Sequence, residues 1–151
     1  MASAARTETG TAVELLLEAW RGEIEAEALY VRLAGRESDP KKAAILLGIA
    51  QAEVKHRVRI EKRLRALGVV PPNPAEFWLS PRLQIQARLA PRDQFLARMQ
   101  AAEQKEISNI YDQTTGDEET DRLFQSIRQE EQEHSTQLQG LRAGTELSKA
   151  P

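Results

Sequence analysis

The chain has 151 residues, a formal net charge of −2, 40% hydrophobic and 29% charged residues, and no cysteine. This length suits one domain with a buried core, and the small net charge argues against a nucleic-acid or other polyanionic partner. The absence of cysteine excludes disulfides, thiolate catalysis, thiolate-bound zinc and iron–sulfur clusters. Strand formers are sparse, whereas Ala, Leu, Glu, Gln and Arg dominate, which predicts an all-α fold.

The chain carries no recognisable targeting or membrane segment. Residues 1–10 are small and polar and lack the apolar region of a secretory signal, and no apolar run is long enough to span a bilayer. We therefore expect a cytoplasmic protein without a membrane partner. We also expect a disordered N-terminus over 1–10, one helical bundle over 11–142 and a disordered tail over 143–151.

Two long amphipathic helices are predicted in the first half of the chain. Residues 11–14 form a capping-box pattern that opens the first helix, and its apolar stripe recurs at a period near 3.6 as far as Ala34. Glu23 and Glu27 lie inside or beside this stripe. A second helix follows Pro40 and runs to about Leu67, where a glycine and several prolines stop it.

A long connection, residues 69–90, separates the two halves. It is too apolar for a free linker, so we expect it to pack on the bundle and to form a short helix from about Pro81. Two neighbouring antiparallel helices would not need so much chain, which predicts a crossover that lets the third helix run parallel to the second. The third helix is predicted from near Pro91 to before Gly116, and the fourth after Asp117.

The two histidines of the chain share one motif. His56 follows Glu53 by three positions, and His134 follows Glu131 in the same way, so each pair projects from one face of a helix. Both pairs interrupt apolar stripes, as do Glu23 on the first helix and Glu103 on the third. The order of a lone Glu followed by a Glu/His pair therefore occurs twice, which indicates an internal repeat around a pseudo-two-fold axis.

Several carboxylates in a helical core would repel one another and take up protons, whereas two metal ions would stabilise them. Carboxylates can bridge two ions, and one imidazole for each completes an N/O ligand set that suits iron or manganese, with zinc also possible. One Glu from each of two helices and a Glu-x-x-His from each of the other two is the pattern of ferritin-like di-iron proteins. The sequence therefore predicts a ferritin-like four-helix bundle with a long crossover between its second and third helices.

Over about residues 12–141 the chain resembles the di-iron domain of rubrerythrins. The matching positions are Gly22-Glu23 with Tyr30, Glu53 with His56, Glu103 with Glu106 and Tyr111, and Glu131 with His134. This resemblance implies two iron ions bound by seven side chains: Glu23, Glu53, His56, Glu103, Glu106, Glu131 and His134. Glu106 separates the chain from ferritins and bacterioferritins, and the resemblance implies that Glu106 and His56 are alternative ligands of one iron. Symerythrins have a further Glu on the first helix, where this chain has Ala26.

The resemblance also implies a reaction, the reduction of hydrogen peroxide, with Glu106, His56, Tyr30 and Tyr111 as catalytic residues. The alternatives are a ferroxidase that oxidises Fe(II) with O2 or peroxide for storage, and a scaffold that binds metal only for stability. Because no four-cysteine iron site is present, electrons must come from an external donor such as a rubredoxin-type protein. We expect a homodimer or higher homo-oligomer.

Some side chains keep two interpretations. The two tyrosines are either core aromatics or hydrogen-bond donors to ligand carboxylates. Glu27 is expected to form a salt bridge at the edge of the site, to support a ligand, or to bind metal itself. Glu25, Glu130 and Glu133 are expected to face solvent.

Overall fold

Helices make up most of the chain in a computed structural model that describes the backbone of residues 2–147 and the side chains of residues 10–142. In chain order they are α1 (Ala2–Arg36), α2 (Pro40–Ala66), a 3-10 turn (Pro74–Glu76), α3 (Pro81–Leu89), α4 (Arg92–Glu106), a π-helical segment (Ile107–Tyr111) and α5 (Glu118–Leu147). No strand occurs in the described backbone. None of these helices combines the length and hydropathy needed to cross a bilayer.

The outer helices are longer than predicted. Helix α1 begins at Ala2, so residues 2–10, which were expected to be disordered, extend it beyond the capping-box pattern. The alanines of this stretch are strong helix formers, and this preference explains the extension. Helix α5 likewise passes residue 142 and ends at Leu147. Residues 1 and 148–151 lie outside the described residues, so disorder there stays a prediction.

Local signals begin and end the inner helices. The Asp39 side chain accepts a hydrogen bond from the Lys41 N–H at 2.9 Å and caps α2. Gly68 adopts a φ of +82°, which favours glycine, directly after α2. The Ser80 hydroxyl accepts from the Leu83 N–H at 3.2 Å and caps α3 inside the long connection.

Side-chain contacts give the direction of each helix. Glu27 faces Arg57 and Trp20 faces Glu61, so α1 and α2 are antiparallel. Tyr30 likewise faces Glu103, and Glu23, which comes earlier on α1, faces Tyr111 in the later π-helical segment. Helix α4 is therefore also antiparallel to α1. Helices α2 and α4 therefore run parallel to each other. This is the arrangement that the long crossover predicted.

Two apolar clusters fill the interior of the bundle. One contains Leu33, Leu46 and Leu96 near one end, and the other contains Leu16, Ile60 and Phe124 near the opposite end. On α2, α4 and α5, the acidic and imidazole side chains that are at most 7% exposed lie between the segments that contribute to these two clusters. The fold therefore places a polar layer across the middle of an otherwise apolar core.

Candidate metal centre

Six of the seven predicted metal ligands are buried in the polar layer. They come from all four long helices and are at most 7% exposed: Glu23, Glu53, His56, Glu103, Glu131 and His134. Each stands on the inward stripe of its helix, where the flanking inward positions are apolar. The packing of those apolar neighbours therefore carries the polar groups into the interior.

The six side chains form two overlapping sets of four. Glu23 and His56 belong to the first set, Glu103 and His134 belong to the second, and Glu53 and Glu131 belong to both. Within each set, one ligand atom from every residue lies within 4.8 Å of the others. Two carboxylates shared between two sets is the arrangement that bridges a pair of cations.

The two imidazoles face the shared carboxylates with equivalent atoms. His56 Nδ1 lies 3.0 Å from Glu131 Oε1 and 3.4 Å from Glu23 Oε2, and His134 Nδ1 lies 3.0 Å from Glu53 Oε1. Each His therefore faces the Glu of the opposite Glu-x-x-His pair. The rings lie nearly parallel, with centroids 5.8 Å apart, so the internal repeat of the sequence becomes a two-fold arrangement in space.

Many polar atoms of this layer make no hydrogen bond of good geometry among the described residues. They are both oxygens of Glu53 and of Glu131, Oε2 of Glu23 and of Glu103, and Nδ1 of His56 and of His134. Buried polar atoms without partners cost free energy, and so many in one place need an explanation. Cations bound by these oxygen and nitrogen atoms would supply it, and such a donor set suits iron or manganese. The residues therefore fit two metal ions.

The carboxylates strongly perturb one another in the metal-free cluster. Burial raises the pKa of Glu53 well above its usual range, and the charges of Glu23 and Glu131 add to this. Burial, again together with Glu23, raises the pKa of Glu131 to about 7. For Glu23, hydrogen bonds from neighbours outweigh burial and lower its pKa. Without metal the cluster therefore shares protons that bound cations would replace.

The two histidines are perturbed in opposite directions. Burial would lower the pKa of His56, but hydrogen bonds and charge from Glu131 and Glu23 prevail and raise it to about 10. Burial and the nearby positive charge of His56 lower the pKa of His134 to about 4. The cluster therefore holds one imidazolium and one neutral imidazole before any metal binds.

Two buried tyrosines hold carboxylates of the cluster from the opposite helix. The Tyr30 hydroxyl on α1 donates to Glu103 Oε1 at 2.7 Å, and the Tyr111 hydroxyl donates to Glu23 Oε1. Burial raises the pKa of both phenols well above the usual range, with nearby carboxylates adding to the shift. Both hydroxyls therefore remain protonated and serve as donors.

Glu106 lies beside the cluster but belongs to neither set. It is partly exposed, its Oε1 lies 3.4 Å from the Tyr111 hydroxyl, and it approaches Gly22 so closely that a Cβ there would be 2.5 Å from this oxygen. It also lines a pocket of about 280 Å³ together with Gly22, Ala26 and Glu103. Burial and the charge of Glu23 raise the pKa of Glu106. The structure thus places His56 in the first set and Glu106 at the pocket wall.

Glu130 contacts His56 of the cluster, although it was predicted from the sequence to face solvent. Its side chain is 46% exposed, yet Oε2 lies 2.8 Å from His56 Nε2 and accepts from Arg59 Nη1 at 3.0 Å. Since a carboxylate only accepts, Nε2 carries a proton and Nδ1 is left to face the cluster. The apolar periodicity of α5 does not point to Glu130, because Glu130 lies at the edge of the buried stripe of that helix. The residue it contacts, His56, lies on another helix.

Glu27 forms a salt bridge with Arg57 at 3.3 Å and joins neither ligand set. The salt bridge is one of the three roles expected for Glu27. Glu25 is partly buried in the wall of the 280 Å³ pocket, whereas Glu133 is exposed as expected.

The fold and the site together define a class, that of ferritin-like helical bundles with a buried carboxylate–histidine cluster able to hold metal. A family model described as Rubrerythrin matches residues 14–142. The chain therefore belongs to the rubrerythrin family, and both the resemblance and the all-α ferritin-like fold expected from sequence are confirmed. No curated protein and no solved structure matches the chain.

Proposed function

We propose that this protein is a di-iron oxidoreductase that reduces hydrogen peroxide with electrons from a separate donor. Membership of the rubrerythrin family and the buried Glu/His cluster support a di-iron protein. The observation that carries the choice of peroxide is the position of Glu106, a carboxylate at the pocket wall next to the set that contains His56.

Six side chains would hold the metals. Glu23 and His56 would bind one iron, Glu103 and His134 the other, and Glu53 and Glu131 would bridge them. When bound, the two irons supply Lewis acidity and one electron each to an oxygen–oxygen bond.

The chain contributes a movable carboxylate at one side of the centre. Because Gly22 has no side chain, the Glu106 carboxylate can lie against the backbone of α1, next to Tyr111 and close to Glu23. A Glu side chain reorients by rotation about its own torsions, without movement of the helix. We infer that Glu106 and His56 exchange as ligands of the same iron, as the family resemblance implies.

The pocket that Glu106 lines gives a small oxidant a route to the centre. Its volume of about 280 Å³ exceeds what hydrogen peroxide or O2 requires, and Leu29 and Met99 form an apolar part of its wall. Glu103, a member of the second ligand set, lines the same pocket. An oxidant there would lie between Glu106 and the buried cluster.

Anaerobic mixing tests this proposal. The Fe(II)-loaded protein is mixed with hydrogen peroxide and, separately, with O2, and oxidation of the iron is followed by absorbance. We expect faster oxidation by peroxide and loss of this preference in Glu106→Ala. Glu25→Ala is the matched control, because Glu25 lines the same pocket but belongs to neither ligand set. Oxidation by peroxide that is no faster than by O2 would refute the proposal.

The second candidate is a ferroxidase, because the same six ligands and the same pocket serve Fe(II) oxidation equally well. Storage also needs a closed compartment for mineral, so native mass separates the two functions. A hollow multi-subunit cage favours storage, and a dimer or tetramer favours peroxide reduction. A scaffold role predicts instead that metal removal unfolds the protein and that no redox turnover occurs.

A further inference from the structure

One face of the molecule carries uncompensated positive charge. It is formed by α3 and the adjoining end of α1, and we call it the α3 surface: Arg32, Arg36, Arg82, Arg88, Ile85 and Leu89. Residues 77–91 contain two arginines and no Asp or Glu, although the whole chain has a net charge of −2. The charge of this face is therefore opposite to that of the protein as a whole.

The arginines of the α3 surface differ in their partners from several others on the bundle. Arg57, Arg59 and Arg63 each pair with a carboxylate. Among the described side chains, none of the four arginines of the α3 surface forms such a pair. Two of them hydrogen-bond backbone carbonyls instead, at Ala28 and Ala87. Their charges are consequently available to a partner.

Apolar side chains project from the same face. Ile85 is 58% exposed and Leu89 71% exposed, one helical turn apart on α3, and the neighbouring Trp78 is 83% exposed. A recess of about 380 Å³ between α1 and α3 is lined by Arg32, Arg88 and Ile85, among others. Arg and Trp beside exposed aliphatic groups are the composition of a protein–protein interface.

The α3 surface is linked to the candidate metal centre through one apolar cluster. Ala87, on the inner side of α3, is fully buried in the same apolar cluster as Tyr30. Tyr30 donates its hydroxyl proton to Glu103, a member of the second ligand set. Buried side chains of this one cluster therefore connect the inner side of α3 with a candidate metal ligand.

We propose that the α3 surface docks an acidic one-electron carrier protein that delivers electrons to the metal centre; this rests on the proposed function. Two reduced carriers give one electron each, and hydrogen peroxide with two protons becomes two waters as the O–O bond breaks. A protein with a net charge of −2 does not attract an acidic carrier as a whole. Local positive charge is therefore needed to attract the carrier and to orient it.

The test uses the iron-loaded protein with a chemically reduced acidic rubredoxin as the carrier. The variant is R32E/R88E, because both arginines are exposed and, among the described side chains, neither hydrogen-bonds another helix. Arg36 is kept because its Nη1 holds the Ala87 carbonyl at 2.8 Å. The matched control is K62E/R65E, which reverses two exposed charges near the C-terminal end of α2.

We expect R32E/R88E to lower carrier-driven peroxide turnover at low salt by about tenfold or more. Wild-type turnover should itself fall as salt rises, and the control variant should behave like wild type. With a small-molecule reductant that needs no docking, all three proteins should turn over at rates within about twofold. Equal carrier-driven rates in variant and wild type, or an equal loss with the small molecule, would overturn the docking proposal.

A binding measurement separates failure of docking from failure of the proposed function. Titration of zinc-loaded protein with rubredoxin, followed by calorimetry, reports docking even if no peroxide turnover is found. Binding that is lost in R32E/R88E and kept in K62E/R65E supports the α3 surface. Binding of wild type to phosphatidylserine vesicles without binding to rubredoxin would overturn the proposal in favour of a membrane. A dimer that dissociates in R32E/R88E, with rubredoxin binding unchanged, would assign this face to a second copy.

Discussion

Gly22 of α1 lies against Glu106, so closely that a Cβ at position 22 would be 2.5 Å from Glu106 Oε1. Alanine at an interior helical position is more stable than glycine by about 1 kcal/mol. In a Glu106→Ala background, we therefore expect Gly22→Ala to raise the free energy of unfolding by about that amount. With Glu106 present the gain should be smaller, because the flexible carboxylate is displaced. Urea unfolding of the four metal-free proteins measures this coupling, and equal gains in both backgrounds would contradict the contact.

The same substitution should affect function more than stability. Displacement of Glu106 in Gly22→Ala should reduce the proposed preference of the Fe(II) protein for peroxide over O2, as we also expect of Glu106→Ala. Gly48→Ala is a suitable control, since Gly48 is also helical and a Cβ there would meet nothing within 4 Å. A Gly22→Ala protein with the wild-type preference would show that Glu106 does not need this position.

The two tyrosines should act on different metal positions. Tyr111→Phe removes the donor to Glu23 in the first set, and Tyr30→Phe removes the donor to Glu103 in the second. Loss of a hydrogen bond to a ligand typically weakens metal binding by about 10- to 100-fold. Anaerobic Co(II) titration followed by absorbance should therefore show one weakened step in each variant, a different one in each case. Two variants that weaken the same step would contradict the two-fold arrangement.

Glu130 should orient His56 although it touches no metal position itself. Glu130→Gln weakens the acceptor of the His56 Nε2 proton, so we expect metal affinity at the first set to fall by about tenfold. Glu133→Gln is the matched control, because Glu133 is exposed on the same helix. Co(II) titration and far-UV circular dichroism would separate a change in affinity from a change in fold. Identical binding curves for the two variants would remove Glu130 from the site.

Metal binding should become tighter as pH rises. The pKa of Glu131 is about 7 and that of His56 about 10, so at neutral pH the metal-free cluster holds protons that a metal must displace. The metal-bound form cannot keep these protons, so falling pH favours the metal-free form. Affinity should rise by up to about tenfold per pH unit for each displaced proton. Calorimetry in buffers of different ionisation enthalpy measures the release, and a proton count of zero at neutral pH would refute this protonation pattern.

Asp117 should contribute to folding but not to metal binding. Its side chain accepts from the Thr120 N–H at 3.3 Å at the start of α5 and from Arg63 Nη2 at 2.8 Å on α2. Loss of such a cap costs about 1 kcal/mol, so Asp117→Ala should unfold at lower urea concentration. Exposed Asp93→Ala, which lies in the first turn of α4, provides the comparison. A changed Co(II) affinity in Asp117→Ala would contradict this separation of roles.

The buried Glu/His cluster was predictable from sequence because its residues interrupt apolar stripes. Glu53 and His56 stand where a helix of period 3.6 turns inward, and so do Glu131 and His134, so the same residues that define the buried face also define the ligands. The crossover was also predictable from one segment of the chain. Residues 69–90 are too long to join two neighbouring antiparallel helices and too apolar to be a free linker. Helical periodicity shows on which face of a helix a side chain lies, and this is most of the information needed to predict the members of the cluster.

Contacts between helices were decided only by the tertiary structure. Sequence alone did not show that Glu53 and Glu131 are the shared carboxylates, that Glu130 contacts His56, or that Glu106 lies over Gly22 in the pocket wall. Each of these relationships joins residues distant in the chain. Each relationship depends on how two helices are shifted along each other and rotated about their axes when they pack. The periodicity of one helix cannot specify this.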